Sequence, residues 1–165
     1  MAKKILVMSD SHGVNENVKK ALDLEKPDML IHCGDVEHGW DEIRLWAGVP
    51  LVPVIFVRGN CDWSLAKNVQ EMAEFEMYGH KIMVVHGHRH SAERGVGIIS
   101  YQAAQDGCDI VFYGHTHVPC DIDDRGIRIM NPGSISLPRG GSAQGYIIVM
   151  MEDDGKYTAE WKKLL

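Results

Sequence analysis

The sequence predicts one α/β domain whose strands form two packed sheets with helices outside, and three observations lead there. The chain has 165 residues, close to the usual size of a single domain, and its 45% apolar and 24% charged content is ordinary for a globular fold. Its first third alternates short apolar runs with helical patterns, the signature of βαβ units and a parallel sheet. From Ala73 the character changes to a hairpin, a helix and a buried-type strand, and the tail from Pro119 turns antiparallel.

Each element follows from its local pattern. Ile5 to Met8 reads as a strand, Asn15 to Glu25 as a helix stopped by Pro27, and Met29 to His32 as the next strand. A helix over Asp41 to Ala47 leads to a strand over Leu51 to Val57. Phe75 to Tyr78, Gly79-His80 and Lys81 to Val85 form a hairpin, and a helix over Ile98 to Gln105 precedes the buried-type strand Asp109 to Tyr113. Pro119 to Ile122 and Ile127 to Met130 flank the turn Asp123-Asp124-Arg125-Gly126, and Gly145 to Met151 and Lys156 to Trp161 flank Asp153-Asp154-Gly155. The chain contains no internal repeat, low-complexity tract or linker, so it reads as one domain over residues 1–165.

Composition excludes several classes of function. Seventeen basic against twenty-three acidic side chains leave a net charge of −6, whereas a surface that binds polyanions is basic, so stable nucleic-acid binding is not expected. Cys33, Cys61, Cys108 and Cys120 form neither a CxxC pair nor a dense framework, and as reduced thiols they suit a cytoplasm. The apolar stretch Ile5 to Met8 is broken at Ser9-Asp10, too soon for a signal peptide, and no apolar run is long enough to cross a bilayer. A soluble protein without a membrane partner is the expectation, with homo-oligomerisation left open. A chain of this length buries roughly 70% of its unfolded surface without disulfides or structural zinc, so any metal should be functional.

The chemistry lies just past the strands, where open α/β sheets bind their ligands. The first strand runs into Asp10-Ser11-His12, the second into Gly34-Asp35, the third into Gly59-Asn60, the Lys81 strand into His86, and the Asp109 strand into Gly114-His115-Thr116-His117. In extended chain residues i and i+2 face the same way, so Asp10 with His12, and His115 with His117, can share one space. Glycine before Asp35, Asn60 and His115 suits a strand exit where the backbone passes close to something. Asp10, His12, Asp35, Asn60, His86, His115 and His117 are seven candidate ligands. A single open catalytic site takes three or four, so the count points to two ions about 3.5 to 4 Å apart that share one carboxylate. Imidazole, carboxylate and amide donors without thiolates suit manganese, iron, zinc, nickel or cobalt; the residues do not choose among them, and manganese is the working assignment.

These blocks, in this order over nearly the whole chain, resemble the calcineurin-like metallophosphoesterases, and within them the small single-domain bacterial and archaeal phosphodiesterases. Asn131-Pro132-Gly133-Ser134 is similar to the same subgroup. The resemblance implies a four-layered α/β/β/α sandwich of two mixed sheets flanked by helices. It implies Asp10, His12, Asp35 and His117 on one metal, Asp35, Asn60, His86 and His115 on the other, and Asp35 as the bridge. It further implies hydrolysis of a small phosphoester by a metal-bound hydroxide attacking phosphorus in line, with His12, Asp35 and Asn60 as the catalytic candidates. A retromer subunit also resembles this family while serving as a non-catalytic scaffold with a degraded site; the seven filled positions argue against that alternative here.

One position departs from the family. The third block usually reads Gly-Asn-His followed by an acidic residue, and here Cys61 stands in place of the histidine while Asp62 keeps the acid. Nearby cations would lower the thiol pKa and leave no proton donor, which favours diesters with good leaving groups. Cys61, His88 and Arg139 are candidate substrate contacts. His32 reads as a core histidine that orients a ligand, His80 as solvated in its turn, and His38 as exposed, with His90 a weaker version of His88. Arg58 could clamp a phosphate, but structural pairing explains it better; Trp40, Trp46 and Trp63 fit core packing as well as a substrate groove.

Overall fold

The computed structural model describes residues 1–63 and 69–165. In chain order the first elements are β1 (Lys3–Met8), α1 (Asn15–Glu25), β2 (Met29–His32), α2 (Trp40–Ala47) and β3 (Val54–Phe56). They are followed by β4 (Met72–Met77), β5 (His80–Val85), α3 (Gly97–Asp106), β6 (Ile110–Phe112), β7 (Pro119–Asp124), β8 (Ile127–Pro132), β9 (Gly145–Met151) and β10 (Tyr157–Lys163). One sheet has the order β10-β9-β1-β2-β3, the other β4-β5-β6-β8-β7. Strands β1, β2 and β3, and likewise β5, β6 and β8, run parallel; antiparallel hairpins form one margin of the first sheet and both margins of the second, while β3 is a parallel edge.

Strand alternation generates the layers. Ile5, Val7, Met29, Ile31, Ile147 and Val149 point from the first sheet into a shared core with Ile82, Val84, Ile110, Phe112 and Met130 of the second. The intervening residues Leu6, Met8, Leu30 and Ile148 face outward against Val18, Ala21 and Leu22 of α1 and Ile43 of α2. Met83, Val111 and Ile129 do the same for the second sheet against Ile99 and Ala103 of α3. The result is the expected α/β/β/α sandwich of two mixed sheets. Helix α1 buries Val18, Ala21, Leu22 and Glu25, a single helical stripe, and ends where Lys26 turns left-handed ahead of Pro27. Its buried Glu25 accepts from the Tyr146 hydroxyl at 2.7 Å and pairs with Lys4 at 2.9 Å and Lys162 at 3.0 Å, tying helix to sheet.

Two expectations need correction. The run Leu51 to Val57 is a strand only over Val54–Phe56; Leu51 is 92% exposed and lies in a turn, so apolar character alone overstated the strand. His80 is not solvated. Its Nδ1 lies 2.6 Å from Asp109 and its Nε2 2.7 Å from the Gly155 carbonyl. Both ring nitrogens meet acceptors; burial lowers its pKa, but Gly155 and Asp109 outweigh it and raise it. It clips β5 of one sheet to the β9–β10 turn of the other.

Candidate metal centre

The parallel strands deliver the predicted ligands to one end of the sandwich. Asp10 follows β1, Asp35 follows β2, Asn60 follows β3, His86 follows β5, and His115 and His117 follow β6. Asp10, His12, Asp35, His115 and His117 all adopt left-handed backbone angles, with φ of 56°, 46°, 60°, 69° and 60°. Clustered non-glycine residues in that region are held by their surroundings at a strained site. Here backbone bonds do the holding: Asp10 N–H donates to the Gly34 carbonyl at 3.0 Å and His12 N–H to the Asp35 carbonyl at 2.9 Å. Two glycines are required by space. A Cβ on Gly59 would strike the Asp35 carboxylate and backbone, and one on Gly114 would strike Ser9 and Asp10.

Hydrogen bonds behind the ligands fix which nitrogen faces the centre. His86 Nδ1–H donates to the Cys33 carbonyl at 2.8 Å and His117 Nδ1–H to the Leu137 carbonyl at 2.6 Å, so both Nε2 atoms turn inward. His117 Nε2 lies 3.1 Å from Asp10 Oδ1 and 3.2 Å from His12 Nε2. On the other side His86 Nε2 lies 3.2 Å from Asp35 Oδ2 and 3.0 Å from Asn60 Oδ1, and His115 Nδ1 3.1 Å from the same Asn60 oxygen. Asp35 Oδ2 is also 3.7 Å from His12 Nε2, so one carboxylate faces both groups. The seven predicted ligands therefore converge.

These donors fit a cation. Asp10 Oδ1 is buried and accepts no hydrogen bond, although His117, His12 and His86 all bring Nε2 within 3.9 Å of it. Lone pairs crowded this closely around a buried carboxylate oxygen repel one another unless positive charge lies among them. Protons register the same field. Burial pushes the Asp10 carboxyl up, but His117 and His12 overcome it and hold it far below the usual range; burial likewise loses to His86 at Asp35, whose pKa is lowered. Burial lowers His86, yet Asp35 and Asp10 lift it to about 9, and the nearby Asp10 carboxylate raises His12. A metal ion and a proton compete for those lone pairs. Asp10, His12 and His117 form one compact donor group, and Asp10, Asp35 and His86 another.

Several supporting contacts become visible only in three dimensions. Asp62 is 1% exposed and accepts three backbone N–H bonds, from Asp35 at 2.8 Å, Gly59 at 2.7 Å and Glu37 at 2.8 Å, bracing two ligand loops at once. The acidic position was recognisable in the sequence; its partners were not. Ser134 Oγ donates to the Asp10 carbonyl at 2.7 Å, and Asn131 Nδ2 donates to Gly114 and Thr116 at 3.0 Å, so Asn131 to Ser134 clamps the first and last blocks. Glu37 and Glu93, which no local motif marks, approach the outer nitrogens of His12 at 3.4 Å and His115 at 3.5 Å.

The remaining candidates divide. His32 is buried and neutral, its pKa driven down to about 3 by burial; Gly34 N–H donates to its Nδ1 at 3.1 Å, and its Nε2 meets Ser11 Oγ at 3.0 Å. It supports the residues between the ligands, as read from the sequence. Arg58 donates to the Asp62 carbonyl at 2.8 Å, a structural role. Trp40 packs edge-on against Phe56 with ring centres 4.1 Å apart, whereas Trp63 is 86% exposed. Cys61 Sγ stands with His12 and Asp35, and its N–H donates to Asp35 Oδ1 at 2.8 Å. Burial, then Asp35, Glu37 and Asp62, push its thiol up to about 11, so the chain's own charges oppose the thiolate expected from cations alone. His88 is half-buried beside His86; Arg139 is exposed and holds His117 through its backbone N–H, at 3.0 Å from the His117 carbonyl.

A two-sheet sandwich with Asp and His side chains gathered at its strand ends defines a class of metal-dependent phosphoesterases. Residues 4–154 match the model of the calcineurin-like phosphoesterase superfamily domain, and the chain belongs to that family. It is 35% identical to the probable metallophosphoesterase YsnB of Bacillus subtilis over 152 residues, covering 91% of this chain and 85% of that one. Phosphodiesterase YfcE of Escherichia coli is 26% identical over 163 residues, covering 87% of this chain and 85% of that one. Among solved structures, a predicted phosphoesterase from Streptococcus pneumoniae superposes with a TM-score of 0.82 at 32% identity, covering 99% of this chain and 90% of that one. Vacuolar Protein Sorting 29 from Cryptosporidium parvum shares the fold, with a TM-score of 0.78 at 17% identity and coverage of 98% and 97%. No helix among the described residues is long and apolar enough to cross a membrane.

Proposed function

We infer that this phosphoesterase is a phosphodiesterase that works with two divalent ions on a small phosphoester. The position of Asp35 carries the reading, because its Oδ2 lies 3.2 Å from His86 Nε2 and 3.7 Å from His12 Nε2, between the two donor groups. Asp10, His12, Asp35 and His117 would hold one ion, and Asp35, Asn60, His86 and His115 the other. When bound, such ions supply Lewis acidity to phosphoryl oxygens and make a water acidic enough to attack near neutral pH. Manganese is the working assignment; zinc, nickel, iron and cobalt suit the same donors.

The chain's own residues set the geometry. Cys61 N–H orients the Asp35 carboxylate, Asp62 fixes the loops on either side, and Cys33 and Leu137 lock the rings of His86 and His117. Asn60 is exposed and His12 and His115 are half-buried, which leaves an open mouth for substrate, with Cys61, His88 and Arg139 as candidate contacts around it. With a cysteine rather than an imidazole at position 61, a leaving group that departs without a proton is favoured. This supports diesters with good leaving groups over alkyl monoesters. The scaffold alternative has less support, since all seven ligand positions carry competent side chains. A panel of diesters, monoesters and cyclic nucleotides assayed with each metal tests the reading: turnover concentrated on diesters is expected, and activity restricted to monoesters contradicts it.

A further inference from the structure

A second concavity opens off the ligand cluster. Its volume is about 340 Å³, and its walls are Glu71 and Met72, the loop from His86 to His90, and Ile98 and Gln102 of α3. His86 belongs to both places: its Nε2 faces Asp35 at 3.2 Å, and the residue lies at the pocket wall beside His88. The His88 ring sits 5.3 Å from that of His86 and 6.2 Å from that of His115, so a group esterified to a phosphate at the cluster has the pocket within reach.

The lining selects the occupant. Small-molecule sites begin at about 300 Å³ and combine apolar walls with a few polar groups, which suits a ring and excludes a long acyl chain. Met72 and Ile98 provide the apolar walls, and the half-buried ring of His88 suits a flat partner. The guanidinium of Arg89 is engaged by Glu71, so a second phosphate finds no unpaired guanidinium among the described lining residues. Gln102 donates its amide N–H to Asp106 at 2.8 Å, which leaves its Oε1 to accept from a polar ring edge. We propose that this pocket seats the base of a nucleoside phosphodiester. The proposal rests on the phosphodiesterase reading of the adjoining cluster and names its substrate class.

The test compares two diesters with the same leaving group, the 4-nitrophenyl ester of adenosine 5′-monophosphate and 4-nitrophenyl methyl phosphate. In both, water adds its oxygen to phosphorus and the P–O bond to nitrophenol breaks. Nitrophenolate leaves with the electron pair, and the water protons pass to product oxygens or solvent. Burial of the ring should make kcat/KM for the adenosine ester at least about tenfold higher, mostly through KM. Ile98 is 52% exposed, so Ile98→Glu can be made without disturbing the core, and it should bring the ratio close to one. Calorimetry with the manganese-loaded protein should show the same: adenosine 5′-monophosphate binds more tightly than inorganic phosphate, and Ile98→Glu removes the difference. Equal hydrolysis of both esters by the wild type, or a preference that survives Ile98→Glu, overturns the pocket and leaves the phosphodiesterase reading standing. Hydrolysis of neither ester refutes that reading instead; the pocket then stands or falls on whether the nucleotide outbinds phosphate.

Discussion

Replacing Asp62 by asparagine should weaken the fold and the metal centre together. Oδ2 of Asp62 accepts the N–H groups of Asp35 and Gly59 at 2.8 and 2.7 Å, and Oδ1 accepts that of Glu37 at 2.8 Å. A carboxamide keeps one acceptor oxygen. Turned to retain the first two donors, it sets its own NH₂ against the Glu37 N–H, and one buried donor without a partner costs about 1–3 kcal/mol. For a chain of this size that is a fall in Tm of about 2–12 °C. Asp62→Ala strands all three donors at about 3–9 kcal/mol, enough to threaten a typical domain, so asparagine is the informative change. Because the donors flank Asp35 and Asn60, affinity for manganese should also fall by about 10- to 100-fold, as when an outer partner of a ligand is lost. Melts in chelator isolate the first effect and manganese titration the second. A variant that melts lower yet binds manganese normally would refute the positioning role, and an unchanged melt would refute the hydrogen-bond reasoning.

Other outcomes follow from the same geometry. Asp35→Asn should abolish turnover and release most of the second ion, because its Oδ2 lies 3.2 Å from His86 and 3.7 Å from His12 and it is the proposed bridge; a variant with two tight ions and wild-type rates would overturn that assignment. Cys61→His should raise rates for poor leaving groups and flatten the dependence on leaving-group pKa, since imidazole donates a proton near neutrality and general acids contribute about 10²- to 10⁴-fold. Cys61→Ser should change little, and an unchanged slope in a well-folded histidine variant counts against the argument. Burial raises the Glu25 carboxyl, but Lys4, Tyr146 and Lys162 outweigh it and hold it at about 2, against an ordinary 4.5. A depressed carboxylate contributes stability above pH 4.5 that is lost as pH falls toward 2; allowing for the partly exposed lysines, this is about 2 kcal/mol. The stability gap between wild type and Glu25→Gln should therefore narrow over that range, and a gap independent of pH would show the carboxylate charge to be irrelevant.

The ligand set was legible because the parallel strands end in it. Apolar runs that stop abruptly at Asp10, Asp35, His86 and His115 mark both the strand and the residue aimed past its end. Where the reading slipped, the cause was a partner far away in sequence. His80 looks like a turn residue until Asp109 and Gly155 are brought to it, and Leu51 looks like a strand residue although nothing covers it in the turn before β3. Asp62, Asn131 and Ser134 act through backbone groups of other loops, and backbone donors carry no sequence signature. Cys61 drew attention as a departure, but its surroundings of Asp35, Glu37 and Asp62, which with burial oppose the lowering expected from cations, belong to the fold.

The claim that two ions share Asp35 is tested most directly by adding manganese stepwise to the metal-stripped protein, with electron paramagnetic resonance and diester hydrolysis followed together. The account predicts that turnover appears with the second equivalent, accompanied by the spectrum of an exchange-coupled manganese pair. Full turnover at one equivalent, or two bound ions with uncoupled spectra, would contradict it.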